Sequence, residues 1–209
     1  MKRAWNSQYR VKAIVDETKQ YRYQFSCEWG DGGKIITFVM LNPSVGNQEQ
    51  EDPTLKKCIA YAKKWGYDGL NVVNLFAYIS TEPKELKKQI DPVGPDNDRH
   101  VLEAIRNSEK VIVAWGQSIR TAFVKTRIKE TLELLNSVDT YTLELTVCGE
   151  FPKHPLFLRG DLVPKLFRPA TKKVIKVPRR TAPLNAHTSS EGLIGDSDVG
   201  LFNDPDWEL

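Results

Sequence analysis

The sequence predicts a three-layer αβα sandwich, an α/β domain with a mostly parallel central sheet. Three observations carry that expectation. Short apolar runs that read as strands alternate with stretches whose apolar residues recur at helical spacing. One run, KIITFVML (34 to 41), is apolar on both faces, as a central strand covered on both sides must be. The chain has 209 residues and is 40% hydrophobic, enough for one full domain with a core of its own.

The elements follow in order. In YRYQFSCEW (21 to 29), Tyr21, Tyr23, Phe25 and Cys27 alternate with Arg22, Gln24, Ser26 and Glu28, the period of a strand. KIITFVML is the next strand and stops at Asn42-Pro43-Ser44. DPTLKKCIAYAKKWG (52 to 66) is a punctuated helix. Asp52 caps the free N–H groups, Pro53 suits the first helical position and Gly66 suits the stop. LNVVNLFA (70 to 77) is a strand, DNDRHVLEAIRNS (96 to 108) a helix and KVIVAWG (110 to 116) a strand closed by glycine. SIRTAFVKTRIKETLELL (118 to 135) is a longer helix and TYTLELTVC (140 to 148) a last strand.

Charge sets the boundary of this domain, residues 1–168. From Lys165 to Arg180 there are seven Lys or Arg and no acid; from Thr181 to Leu209 there are six Asp or Glu and no base. Residues 169–209 therefore read as a disordered tail, basic and then acidic. The net charge of +3 permits nucleic-acid binding without arguing for it. Cys27, Cys58 and Cys148 form no CxxC pair and no zinc spacing, which fits free thiols in a reducing compartment. The start, MKRAWNSQYR, has no apolar signal segment, and no apolar run nears the roughly 20 residues needed to span a bilayer. The expectation is a soluble, cytoplasmic protein without a membrane partner or a cofactor.

In parallel sheets, ligands bind beyond the carboxyl ends of the strands. Here those ends carry Asn42-Pro43-Ser44, Asn74-Leu75-Phe76-Ala77, Trp115-Gly116 and, after the last strand, His154-Pro155. Asn42-Pro43-Ser44 reads as a turn or as a strand end delivering Asn42 and Ser44 to a site. Asn74 ends an otherwise apolar strand; its amide offers the donor and acceptor that a nucleobase edge requires, or ties down the adjoining loop. Pro155 keeps His154 extended, either as a structural residue or as one aimed at a ligand, where imidazole can donate to developing negative charge. Asp91, Asp96, Asp98 and His100 lie in DPVGPDNDRH. They lack the ordered spacing of a metal loop, and Asp96 reads instead as a helix cap, so no metal ligands are assigned.

Together, YRYQFSCEW, FVMLNPS, DPTLKKCIAYAKKWGYDGLNVVNLFAYISTEPKEL, DPVGPDND, VIVAWG and HPLFL resemble a bacterial and phage family known only as domain of unknown function 1643, over about residues 21–158. The motif order also resembles, more distantly, the uracil-DNA glycosylase superfamily. That resemblance implies a glycosylase-like fold and an enzyme acting at an N-glycosidic bond or a modified base. By it, Asn42 holds the attacking water and His154 stabilises the departing base. Asn74 reads the base edge, with Ser44, Phe76, Trp115 and Gly116 around the substrate and Asp52, Asp96 and Asp98 as additional residues. Phe76 is either a stacking surface or core. The chain departs from the superfamily after Asn42-Pro43, where its usual stacking aromatic is missing, and after His154-Pro155, where the serine-rich inserting turn is missing. The partner implied is nucleic acid or a modified nucleotide. Two other readings stand beside it: a binding module without catalysis, and a metal-dependent phosphohydrolase built on Asp52, Asp91, Asp96 and Asp98.

Overall fold

A computed structural model describes residue 5 and residues 7–31, 33–44, 52–117 and 121–171. The chain divides into two units, Met1–Lys176 and Val177–Leu209, and every described residue belongs to the first. The expected tail from residue 172 onward lies outside the described residues.

Seven strands form one sheet: β1 (Arg10–Val15), β2 (Arg22–Glu28), β3 (Ile35–Met40), β4 (Gly69–Asn74), β5 (Lys110–Val113), β6 (Thr140–Thr142) and β7 (Lys165–Arg168). Their order is β1-β2-β4-β3-β5-β6-β7. The central strands β4, β3, β5 and β6 are parallel to their neighbours. Antiparallel pairs flank them: β2 on β4, β1 on β2 and β7 on β6. The mixed sheet is thus parallel where helices connect its strands and antiparallel toward its edges.

Three α-helices supply the outer layers: α1 (Pro53–Lys64), α2 (Asn97–Arg106) and α3 (Ala122–Leu134). Helix α1 begins as its sequence dictates. The Asp52 carboxylate accepts from the Thr54 and Leu55 N–H groups, and Pro53 takes the first turn. Leu55, Cys58, Ile59, Tyr61 and Ala62 are buried against one face of the sheet, with Ile36, Phe38, Met40, Leu70, Val72 and Ala114. The other face buries Val39, Leu41, Val73, Leu75, Val113 and Trp115 beneath α2 and α3 residues such as Val101, Ile105 and Val124. Alternate residues of β3, β4 and β5 thus serve opposite cores, which explains their continuous apolar runs.

Two expectations are corrected. The strand expected over 140–148 ends at Thr142. Leu145 then bridges Pro152, the Thr146 N–H donates to the Phe151 carbonyl, and Gly149 turns at φ +70°, so this segment folds back on itself. The tail does not begin at 169 either. The Ala170 N–H donates to Asp139 at 2.8 Å and the Thr171 N–H to the Asn136 carbonyl at 2.8 Å. No helix among the described residues is long and apolar enough to cross a membrane. Cys27 and Cys58 are buried thiols and Cys148 an exposed one.

Candidate functional site

The carboxyl ends of β3, β4 and β5 lie side by side, because Met40 pairs with Asn74 and Val39 with Val113. Past Met40 the chain still bonds to its neighbour. Leu41 accepts from Phe76 N–H at 3.0 Å and Pro43 from Ser80 N–H at 3.0 Å. Asn42, half-buried, donates from Nδ2 to the carbonyls of Ser80 (2.8 Å) and Pro43 (3.1 Å). Its nitrogen is therefore structural, while its Oδ1 accepts no hydrogen bond among the described residues. Ser44 Oγ donates to Asp52 Oδ2 at 3.0 Å, which ties the end of β3 to the cap of α1. That bond runs serine to carboxylate with no imidazole between, so the group is not a nucleophilic triad.

Asn74 is only 2% exposed and follows Val72 on the α1 face. Its backbone carbonyl accepts from Asn97 Nδ2 at 3.0 Å; its side-chain amide makes no hydrogen bond among the described residues. The next carbonyl, of Leu75, is held by Asn97 Nδ2 at 3.2 Å and by Arg127 Nε at 2.7 Å. Phe76 is packed in the opposite core, stacked on Phe123 at 4.9 Å, so the open choice between stacking surface and core resolves to core. Trp115 lies in that same core with its edge toward Phe167. Neither ring reaches the side of the sheet on which Asn74 sits.

Gly116 has a different part. Its φ is +73°, and a Cβ there would come within 3.2 Å of the His154 Cβ. Its N–H donates to the Pro152 carbonyl at 2.9 Å, docking the returning arm of the 144–153 hairpin on the end of β5. Glycine thus lets His154 approach the sheet. His154 Nδ1 accepts from the Leu156 N–H at 3.4 Å and caps the short 3₁₀ turn Pro155–Phe157. Burial pushes its pKa below the ordinary 6.5, and the negative charge of Asp52 opposes that shift. A neutral ring accepting at Nδ1 carries its proton on Nε2, so Nε2 is the atom available to donate. The chain after it is anchored on α1: Tyr61 Oη donates to the Arg159 carbonyl and Trp65 Nε1 to that of Leu162 at 3.1 Å.

The remaining carboxylates do not assemble. Asp98 pairs with the buried Arg127, and Asp91 Oδ1 accepts from Gly94 N–H at 3.0 Å. Asp96 occupies the cap position of α2 but makes no side-chain cap bond; it pairs with Arg99 at 3.4 Å instead, correcting its expected role. Among the described residues no three His, Cys, Asp or Glu group as metal ligands. The four carboxylates expected of a phosphohydrolase are therefore apart.

Arg22 belongs with these strand ends although strand alternation gave no sign of it. It begins β2, which runs antiparallel to β4 and so starts where β4 finishes; the Arg22 N–H donates to the Ala77 carbonyl at 2.9 Å. The β1–β2 register shifts here: Ile14 faces Gln24, and Val15 faces Arg22. Tyr23 is the extra residue of a β-bulge and stacks on His100 of α2 at 5.0 Å. Arg22 is 6% exposed; burial lowers its pKa to about 10, and Asp52 is the charge that opposes the shift. It therefore stays cationic at neutral pH.

Neither a curated protein nor a solved structure matches the chain. The family described as a protein of unknown function, DUF1643, matches residues 22–156, from Arg22 to the turn that follows His154. That match spans more than half of the 209 residues, and the chain belongs to this family.

Proposed function

We propose that the protein is a glycosylase-type hydrolase acting at the N-glycosidic bond of a nucleic acid or a modified nucleotide. Asn74 carries this reading. A buried amide left without partners costs roughly 1–3 kcal/mol, and a nucleobase edge offers the complementary donor and acceptor. Asn74 stands 2% exposed at the ligand-binding end of the central strands with its amide unengaged among the described residues. A fold like that of the uracil-DNA glycosylase superfamily is part of the same proposal. It is supported by the order in which Asn42-Pro43, Asn74, Trp115-Gly116 and His154-Pro155 follow strand ends.

In this reading Asn42 Oδ1 accepts a hydrogen bond from a water molecule. The water oxygen bonds to the sugar carbon as the carbon–nitrogen bond breaks. The electron pair leaves with the base, and the water gives up a proton to solvent. His154 Nε2–H donates to the departing anion, a contact that strengthens as charge develops. A protein that binds the base without cleaving it is the second reading. It is favoured by the Asn42 amide nitrogen, which is committed to the Ser80 carbonyl.

Incubation with natural modified DNAs and nucleotides, with mass spectrometry for free base, decides between them. Base release that disappears in His154→Ala supports the enzyme. Binding that depends on Asn74, with no base released from any substrate, supports the binding module.

A further inference from the structure

The structure assigns to Arg22 the recognition of a phosphate ester on the ligand whose base edge Asn74 meets, and so makes that ligand a phosphorylated nucleoside rather than a free base or nucleoside. The inference rests on the base-reading role of Asn74. Arg22 and Asn74 come from hydrogen-bonded neighbours: β2 and β4 pair through Phe25 and Val72, and the two strands meet end to start at the carboxyl edge of the parallel core. Adjacent strands lie ~4.8 Å apart, so a single nucleotide spans both positions. The bulge at Tyr23 separates the two side chains that follow one another: Tyr23 goes to His100 of α2, and Arg22 comes under the charge of Asp52, the residue that caps α1.

The Asp52 carboxylate does not hold Arg22 in an ion pair. Its oxygens accept from Thr54 N–H, Leu55 N–H and Ser44 Oγ. It tempers the local field without occupying the guanidinium fork. A guanidinium presents its donors in the planar pattern that phosphate oxygens match, which a point charge does not. His154, held neutral by burial at the far side of Asn42, adds no competing cation.

The test is equilibrium binding, by calorimetry on the full chain, of 5′-nucleoside monophosphates, the matched nucleosides, inorganic phosphate and a short single-stranded oligodeoxynucleotide. The expected result is that a phosphate-bearing ligand binds at least tenfold more tightly than its nucleoside. In Arg22→Gln that preference disappears. In Arg22→Lys, which keeps charge but not the fork, it weakens, and circular dichroism confirms that the compared variants are folded. If Arg22→Gln does not fold, the Arg22→Lys comparison decides. The mononucleotide and oligonucleotide arms say whether the phosphate is terminal or part of a strand. Equal binding of nucleotide and nucleoside, or a preference unchanged in both variants, overturns the assignment. Nucleoside binding that Asn74→Ala abolishes, without phosphate preference, rejects Arg22 and keeps the base reading. Inorganic phosphate bound through Arg22 with no nucleoside bound rejects the base reading instead, and no binding at all rejects both.

Discussion

Replacing His154 with alanine removes the one imidazole placed at these strand ends, and the expected consequence is kinetic. Turnover should fall roughly 10²–10³-fold while ligand binding stays nearly intact, because stabilisation of a leaving anion is needed only in the transition state. Asn74→Ala should do the reverse and weaken binding and base discrimination; single-turnover kinetics beside equilibrium binding separates the two. Gly116→Ala should damage both stability and activity. It forces an alanine to φ +73°, which costs roughly 1–2 kcal/mol, and presses a methyl against the His154 Cβ. Thermal unfolding and base release measured on the same preparation check it. Asn42, Asn74 and His154 were legible as strand-end residues because each follows an apolar run or a proline-restricted segment. Arg22 was not legible. Its neighbours alternate perfectly, and no composition rule announces where a bulge will break the alternation. Phe76 and Trp115 show the converse limit: an aromatic residue at a strand end packs wherever its backbone turns, and both turn into the α2–α3 core.

Helix α1 was readable nearly to the residue because Asp52, Pro53 and Gly66 each have a local reason to stand where they do. The 144–153 hairpin was not, since TYTLELTVC has strand residues throughout and only the tertiary bridge of Leu145 to Pro152 divides it. The cap of α1 makes a prediction at this scale. Asp52→Ala should cost roughly 0.5–2 kcal/mol in chemical denaturation, whereas Asp52→Asn should largely preserve stability, because asparagine caps as well as aspartate. The asparagine variant removes a negative charge that raises the pKa of His154, so an NMR titration of that imidazole should move to lower pH. An unchanged titration would separate Asp52 from His154.

For the domain as a whole, the buried histidines set a pH dependence. In the unfolded chain His100 and His154 take up protons near the ordinary value of 6.5; in the folded protein burial lowers both. Below pH 6.5 the unfolded state therefore binds more protons, and stability falls as the pH drops toward the folded values, while above 6.5 these groups have no effect. Urea unfolding at pH ~7.5 and ~5 should show that loss, and a His100→Asn, His154→Asn double variant should show less of it. Truncation after Lys176, where the first unit ends, should leave the melting temperature unchanged; a fall of several degrees would show that the charged terminus contributes to the fold. The alternation of strands and helices was enough to read the parallel centre of the sheet. The antiparallel β1 and β7 were missed because their partly exposed residues carry only weak hydrophobic patterning.

The bulge at Tyr23 gives this fold an unusual sensitivity to the length of its own gene. Substitutions along β2 change one side chain each. Loss of the single codon for Tyr23 would restore regular alternation with β1, and Arg22 would exchange the α1 side of the sheet for the α2 side without any change in its identity. In a mutational scan that includes deletions, the position should therefore tolerate several aromatic or aliphatic replacements and reject removal. The information that places the guanidinium is held in a count of residues.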